Sequence, residues 1–178
     1  MSNRKLSQLL DDLLEEQSVR RRSDVNWEYI AYHEAGHAVI GHVLGYKVGK
    51  VTIKPKPFTL GNVEMEVGEA SSDRCVDMDA ADIKSDLAGM LAERLINPSP
   101  LNELIEQGSR SDWRSAKRTA RQLNLPREAE ILIVMLALET AALVQQNREA
   151  IVRVATALLE RETLTGDDLH SLIDGRHG

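Results

Sequence analysis

His33-Glu34-Ala35-Gly36-His37 is the stretch whose reading decides the rest of this chain. HExxH on a helix puts two imidazoles one turn apart and a carboxylate beside them. At ~100° per residue the two histidines fall ~40° apart around the axis, and Glu34 lies within ~100° of both. Neutral imidazoles leave the charge of a zinc ion intact, so the metal stays a Lewis acid and lowers the pKa of a bound water to ~7. Glu34 then has the position of a general base for that water, and of a proton donor to the departing amine. The pattern implies peptide-bond hydrolysis, with a third protein ligand supplied from elsewhere.

The flanking residues read as helix. Asp24 or Asn26 can cap its start, and Ile30, His33, His37, Ile40 and Leu44 recur at three- and four-residue steps up to Gly45. Lone histidines on such a stripe are ordinarily core residues bonded to backbone carbonyls. Two of them bracketing Glu34 favour a metal. Gly36 is either a flaw costing ~1 kcal/mol of helix propensity or a point of close approach by a neighbouring backbone. A three-histidine site of the form HExxHxxGxxH is excluded, because positions 40 and 43 are Ile40 and Val43. His42, ~180° from His33 around the helix, reads as a surface histidine.

Working outward, 178 residues with 42% apolar and 28% charged side chains fit one globular domain. The single cysteine, Cys75, excludes an intramolecular disulfide and agrees with a reducing, cytoplasmic setting. The first twenty residues alternate leucines with charges, unlike a secretory leader. The longest uninterrupted apolar run, 131–138, is far short of the ~20 residues that cross a bilayer, so no membrane partner is expected. Arg110, Arg114, Lys117, Arg118 and Arg121 recur along one helical face, but a net charge of -6 and few aromatics argue against nucleic acid. A solvated face near the acidic stretch 64–82 is the better reading.

The expected architecture is mainly α, with a small β-hairpin or sheet beside the HExxH helix. Residues 1–23 read as an N-terminal amphipathic helix, with Leu6, Leu9, Leu10, Leu13 and Leu14 on one face and Asp11, Asp12, Glu15 and Glu16 on the other. Arg20, Arg21 and Arg22 suit its carboxyl end. Its leucine stripe has two uses open to it, packing on its own domain or self-association. Strands are expected at 49–54 and 61–67, joined by a turn with Pro55, Pro57 and Gly61. Helices follow at 76–96, 110–123, 127–146 and 148–162, with a short one after Thr165; Pro98, Pro126 and Asn147 mark breaks. Two uses are open to the strands, an edge along which a polypeptide substrate lies extended or a hairpin that only covers the helices, and the residues do not choose between them.

Several stretches in order resemble the peptidase domain of the FtsH family of ATP-dependent zinc metalloproteases. Residues 31–45 are similar to its zinc helix, and Lys50-Val51-Thr52-Ile53 with Pro55 and Leu60-Gly61 to the strand and loop that follow. Ala88-Gly89-Met90-Leu91-Ala92-Glu93 resembles the family's AGxxAE helix, and Gly108-Ser109-Arg110-Ser111-Asp112 the segment whose aspartate is its third zinc ligand. Leu158-Leu159-Glu160-Arg161-Glu162-Thr163-Leu164-Thr165-Gly166 is similar to its closing helix and turn. The resemblance covers 27–172 and implies an FtsH-like zinc peptidase domain over 24–175, following the N-terminal helix.

By that resemblance Asp112 completes a zinc site with His33 and His37, and Glu34 is the catalytic base. Ser109 and Asp112 are also spaced as a capping box, a role compatible with ligation. Ser111 and Trp113 stand where the family usually has asparagine and leucine. Glu93 is expected to orient a zinc histidine, although glutamate from a second helix is a ligand in another class of HExxH proteases. The sequence has no GxxxxGK[ST] phosphate loop and no membrane segment, the parts by which FtsH proteins use ATP and reach the membrane. The expectation is therefore a soluble, stand-alone zinc metalloendopeptidase that cleaves unfolded or flexible polypeptides without ATP of its own. A non-catalytic zinc-binding regulatory or adaptor module stands beside it; retention of Glu34 favours the enzyme.

Overall fold

The computed structural model describes residues 25–55, 61–67, 76–98, 110–123 and 126–175. Among them run α1 (Trp27–Val43), β1 (Tyr46–Thr52), β2 (Asn62–Val67), α2 (Val76–Glu93), α3 (Arg110–Leu123), α4 (Pro126–Gln146), α5 (Arg148–Arg161), β3 (Thr163–Thr165) and α6 (Gly166–Asp174). The fold is mainly α with a small sheet beside the HExxH helix, as expected. The helix read over 1–23, Cys75 and the Ser109 half of the capping box lie outside the described residues.

Of the two candidate caps for α1, Asn26 is seen in that role: its Oδ1 accepts from the amides of Glu28 at 3.1 Å and Tyr29 at 3.4 Å. Two of the four amides left over at a helix start are thereby satisfied. At the other end the Leu44 amide donates to Ile40, and Gly45, with φ +91°, turns the chain away. The buried surface of α1 is wider than the stripe read from the sequence. Ala31, Ala35, Ala38, Val39 and Ile40 are all fully buried, because α2, α5 and β1 pack around the helix.

Small side chains are what let α2 come so near. A Cβ added at Gly36 would lie 2.5 Å from the Ala92 Cβ and 2.7 Å from the Ala88 carbonyl oxygen. The close-approach reading of this glycine is therefore the right one. Behind the crossing, Ile40, Ile83, Leu87, Met90, Ile151, Leu158 and Leu164 are fully buried and join α1, α2, α5 and the sheet in one core.

The sheet has the order β2-β1-β3, with both pairs antiparallel. Its central strand begins at Tyr46, earlier than residue 49, and carries a register shift between Val48 and Lys50. That extra residue explains why Val48 and Val51, three positions apart, are both buried, a spacing that strict alternation forbids. β3 was not foreseen. Three residues are too short to show a period, yet Leu164 is fully buried and Thr163 Oγ1 lies 2.8 Å from Thr52 Oγ1. α2 stops at Glu93 rather than 96: the Ile96 and Asn97 amides both turn back to the Glu93 carbonyl. α3 and α4 pack on each other and on α2, and α6 packs on α5 and β1. Among the described residues no helix is long and apolar enough to cross a membrane.

Gly36→Ala separates propensity from packing. Alanine is the better helix former by ~1 kcal/mol, but here its methyl group meets the α2 backbone, and a net loss of about 1–3 kcal/mol is expected. The urea midpoint should fall; a rise would show that α1 and α2 are not held this close.

Candidate metal centre

The crossing of α1 over α2 turns both histidines of the HExxH toward α2. There the Nδ1–H of His37 donates to the Ser85 carbonyl at 2.8 Å, and that of His33 to Glu93 Oε1 at 2.6 Å. A carbonyl oxygen only accepts, so the His37 proton sits on Nδ1, and the Glu93 carboxylate draws the His33 proton to the same place. Both Nε2 lone pairs are left facing inward. They are 3.0 Å apart, and Asp112 Oδ2 lies 3.1 Å from one and 3.7 Å from the other.

Three electron pairs converge here, an arrangement that suits a cation between them. Tetrahedral zinc with bonds of ~2.0–2.1 Å sets neighbouring donor atoms ~3.3 Å apart, and the three separations bracket that value. The residues fit the metal in both chemistry and size. Among the described residues no other group of three or more histidine, cysteine or acidic side chains is so arranged. His42 stands apart, its ring 5.2 Å from that of His170.

The electrostatics make the same demand. Burial opposes charge on His33, yet the hydrogen bonds to Asp112 and Glu93 and the nearby carboxylates outweigh it and raise its pKa to about 10. Burial likewise works to raise Asp112, but the two imidazoles prevail and hold its carboxyl well below the usual range. The same carboxylates that would face a metal therefore favour a proton on His33 when no metal is bound.

Asp112 sits in the first turn of α3, where helix geometry fixes it. Ser111 donates to its Oδ1 at 3.2 Å, leaving Oδ2 for the imidazoles. Trp113 lies partly buried with the Lys117 ammonium 5.3 Å from its ring.

Glu34 is buried at the edge of the cluster. Burial pushes its carboxyl pKa up, His33 and His37 pull it down, and Asp112 and Glu93 add to the rise. Gly61, just ahead of β2, lies against this carboxylate, and a Cβ there would overlap Oε1. Glu93 takes the orienting position expected of it and touches His33 through Nδ1, the nitrogen turned away from Asp112.

Two contributors escaped the sequence reading. Ser85 acts through its main chain, for which no side-chain signal exists. Gly89 was quoted only as part of a motif. A Cβ on it would lie 2.5 Å from His37 Nε2 and 2.6 Å from His33 Cε1, so the rings rest on its bare Cα.

The family model of peptidase family M41 matches residues 20–126, a range holding His33, Glu34, His37 and Asp112. The chain is 30% identical to the ATP-dependent zinc metalloprotease FtsH of Streptobacillus moniliformis over 83% of its own length and 26% of that protein. With the FtsH of Thermus thermophilus it shares 29% identity over 82% of itself and 28% of the relative. With that of Veillonella parvula it shares 37% over 57% and 15%. At best, then, the chain spans about a quarter of the length of these curated relatives.

Two outcomes are expected. Gly89→Ala should lower zinc affinity by about 10–100-fold, the usual penalty for disturbing the support of a ligand, with the far-UV spectrum unchanged; unaltered affinity would show that the rings do not rest on Gly89. In the metal-free protein, protonated His33 stabilises the fold fully below its ordinary value of 6.5, and that contribution disappears as pH rises toward about 10. Zinc competes with the same proton, so the rise in melting temperature on adding zinc should grow across this window. A zinc effect that shrinks over it would contradict the assignment.

Proposed function

The chain belongs to peptidase family M41, and on that premise we propose that it is a zinc-dependent endopeptidase in which His33, His37 and Asp112 hold the metal and Glu34 is the general base. The observation that carries this reading is the convergence of three donor atoms, 3.0, 3.1 and 3.7 Å apart, beside a buried carboxylate. Zinc bound there supplies Lewis acidity toward water and the scissile carbonyl. Glu34 takes a proton from the attacking water and passes it to the leaving amine. Burial raises its pKa, the direction that favours proton donation to the leaving amine. Glu93 and the Ser85 carbonyl hold the imidazole tautomers that direct both Nε2 atoms inward.

The substrates we propose are unfolded or flexible polypeptides. β1 is paired on both sides, so it has no free edge, whereas among the described residues β2 ends the sheet, and it begins beside Gly61 and the Glu34 carboxylate. A peptide laid along β2 by main-chain hydrogen bonds would have its backbone near the base whatever its sequence. Hydrolysis at this site needs no nucleotide. A single cysteine in 178 residues fits a reducing, cytoplasmic setting.

An adaptor that keeps zinc only as a structural element is the competing reading. Such sites are closed by four protein ligands, and among the described residues the group contains three, with Glu34 retained alongside. The balance favours the enzyme.

Glu34→Gln should bind zinc as wild type does while losing about 10²–10⁴-fold in cleavage of an unfolded protein without nucleotide. Metal content and product appearance measure the two separately. Equal cleavage by the variant would remove Glu34 from the mechanism, and zinc-loaded wild type that never cuts would favour the adaptor.

A further inference from the structure

α4 carries an apolar ridge with nothing from the described residues on it. Ile131, Val134, Met135 and Leu138, spaced as i, i+3, i+4 and i+7, are between 55% and 69% exposed. Opposite them Ala129, Ile133, Leu136, Thr140 and Val144 are buried, so α4 is apolar on two faces, one of which meets solvent. Singly exposed apolar side chains are ordinary; a continuous row on one helix marks a binding surface.

α3, which packs on α4, presents cations. Arg114, Arg118 and Arg121 are exposed, and with Lys117 and Gln122 they line an open cleft of about 370 Å³. Among the described residues none of these cations has an ion-pair partner; Arg118 reaches only Ser115 Oγ, at 3.4 Å, and Lys117 the Trp113 ring. α3 and α4 pack on each other and on α2, and on each helix the exposed residues lie opposite the buried ones, Ala116 and Ala120 on α3 and Ile133, Leu136 and Thr140 on α4.

The chain itself contains a segment of the opposite character. In residues 6–16 the spacing of Leu6, Leu9, Leu10, Leu13 and Leu14 is that of one face of a helix, on which Asp12 and Glu16 would flank the leucines, with Asp11 and Glu15 beyond. Ten residues separate Glu16 from Trp27. Extended, they reach ~33 Å, about twice the ~16 Å radius of gyration expected for a domain of this length. Residues 6–16 and nearly all of α4 lie outside the family match, which runs from 20 to 126 and includes α3 with its cations.

We propose that residues 6–16 dock on this surface of their own chain, the leucines covering Ile131, Val134, Met135 and Leu138 and the acids Asp12 and Glu16 facing Arg114, Arg118 and Arg121. The apolar stripe sets the position, and the charges set which way round the helix lies. The arrangement is independent of the metal centre.

The test uses the full chain in a Glu34→Gln background, so that self-cleavage plays no part. Chymotrypsin should cut slowly at the leucines of 6–14, at a rate that does not change with protein concentration. Val134→Asp/Leu138→Asp replaces two exposed side chains, a change the fold tolerates, and should speed that cleavage by about tenfold or more as the segment is released. Arg118→Glu/Arg121→Glu should do the same, and adding Asp12→Lys/Glu16→Lys should restore protection. Equal cleavage in wild type and both α4 and α3 variants would overturn the proposal. So would a dimer that the α4 substitutions dissolve, since a second copy would then cover the ridge.

Discussion

The contact of Gly36 with Ala88 and Ala92 governs the geometry of the site. Where two helices meet without side chains between them, each sees the other's backbone and the relative rotation is fixed within narrow limits. One stripe of α2, made of Ser85, Ala88, Gly89, Ala92 and Glu93, then faces α1. Two members admit the helix, one accepts the imidazole rings, and the outer two receive their Nδ1 protons. Packing and ligand orientation are thus properties of the same surface.

A second constraint is electrostatic. Two unprotonated ring nitrogens and a carboxylate oxygen within hydrogen-bonding distance of one another would repel without something positive among them. The elevated His33 pKa and depressed Asp112 pKa express that repulsion in the language of protons. Folding brings the three groups together through hydrophobic burial elsewhere, in a core that runs from Ile40 through Leu87 to Leu158. Burial in that core therefore adds to the α1–α2 contact in preparing the pocket.

Much of this was legible in the residues alone, for identifiable reasons. Long helices announce themselves by period and by breaks such as Pro126 and Asn147, and α3 and α4 fall within a residue of their expected bounds. HExxH is local, so its face is a matter of arithmetic. Asp112, by contrast, is brought to His33 by tertiary structure, and only likeness to a family connected them in advance. The bulge in β1 and the strand β3 were invisible: each depends on pairing between distant segments, and three residues carry no period. The breadth of burial around α1 was missed because alanine and glycine look neutral in a pattern of large apolar residues, although here they decide how near a neighbour can come.

The stripe on α2 also bears on how such a chain can change over time. Its five positions recur at three and four residues, and one of them serves through a peptide carbonyl that every amino acid possesses. Point changes at Ser85 leave that acceptor in place, limited only by the room around a side chain that is nearly buried. A single residue inserted between 85 and 93 would turn the downstream part of the stripe by ~100°, carrying Glu93 away from His33. Evolution of this helix should accordingly proceed by exchange of letters and almost never by gain or loss of one.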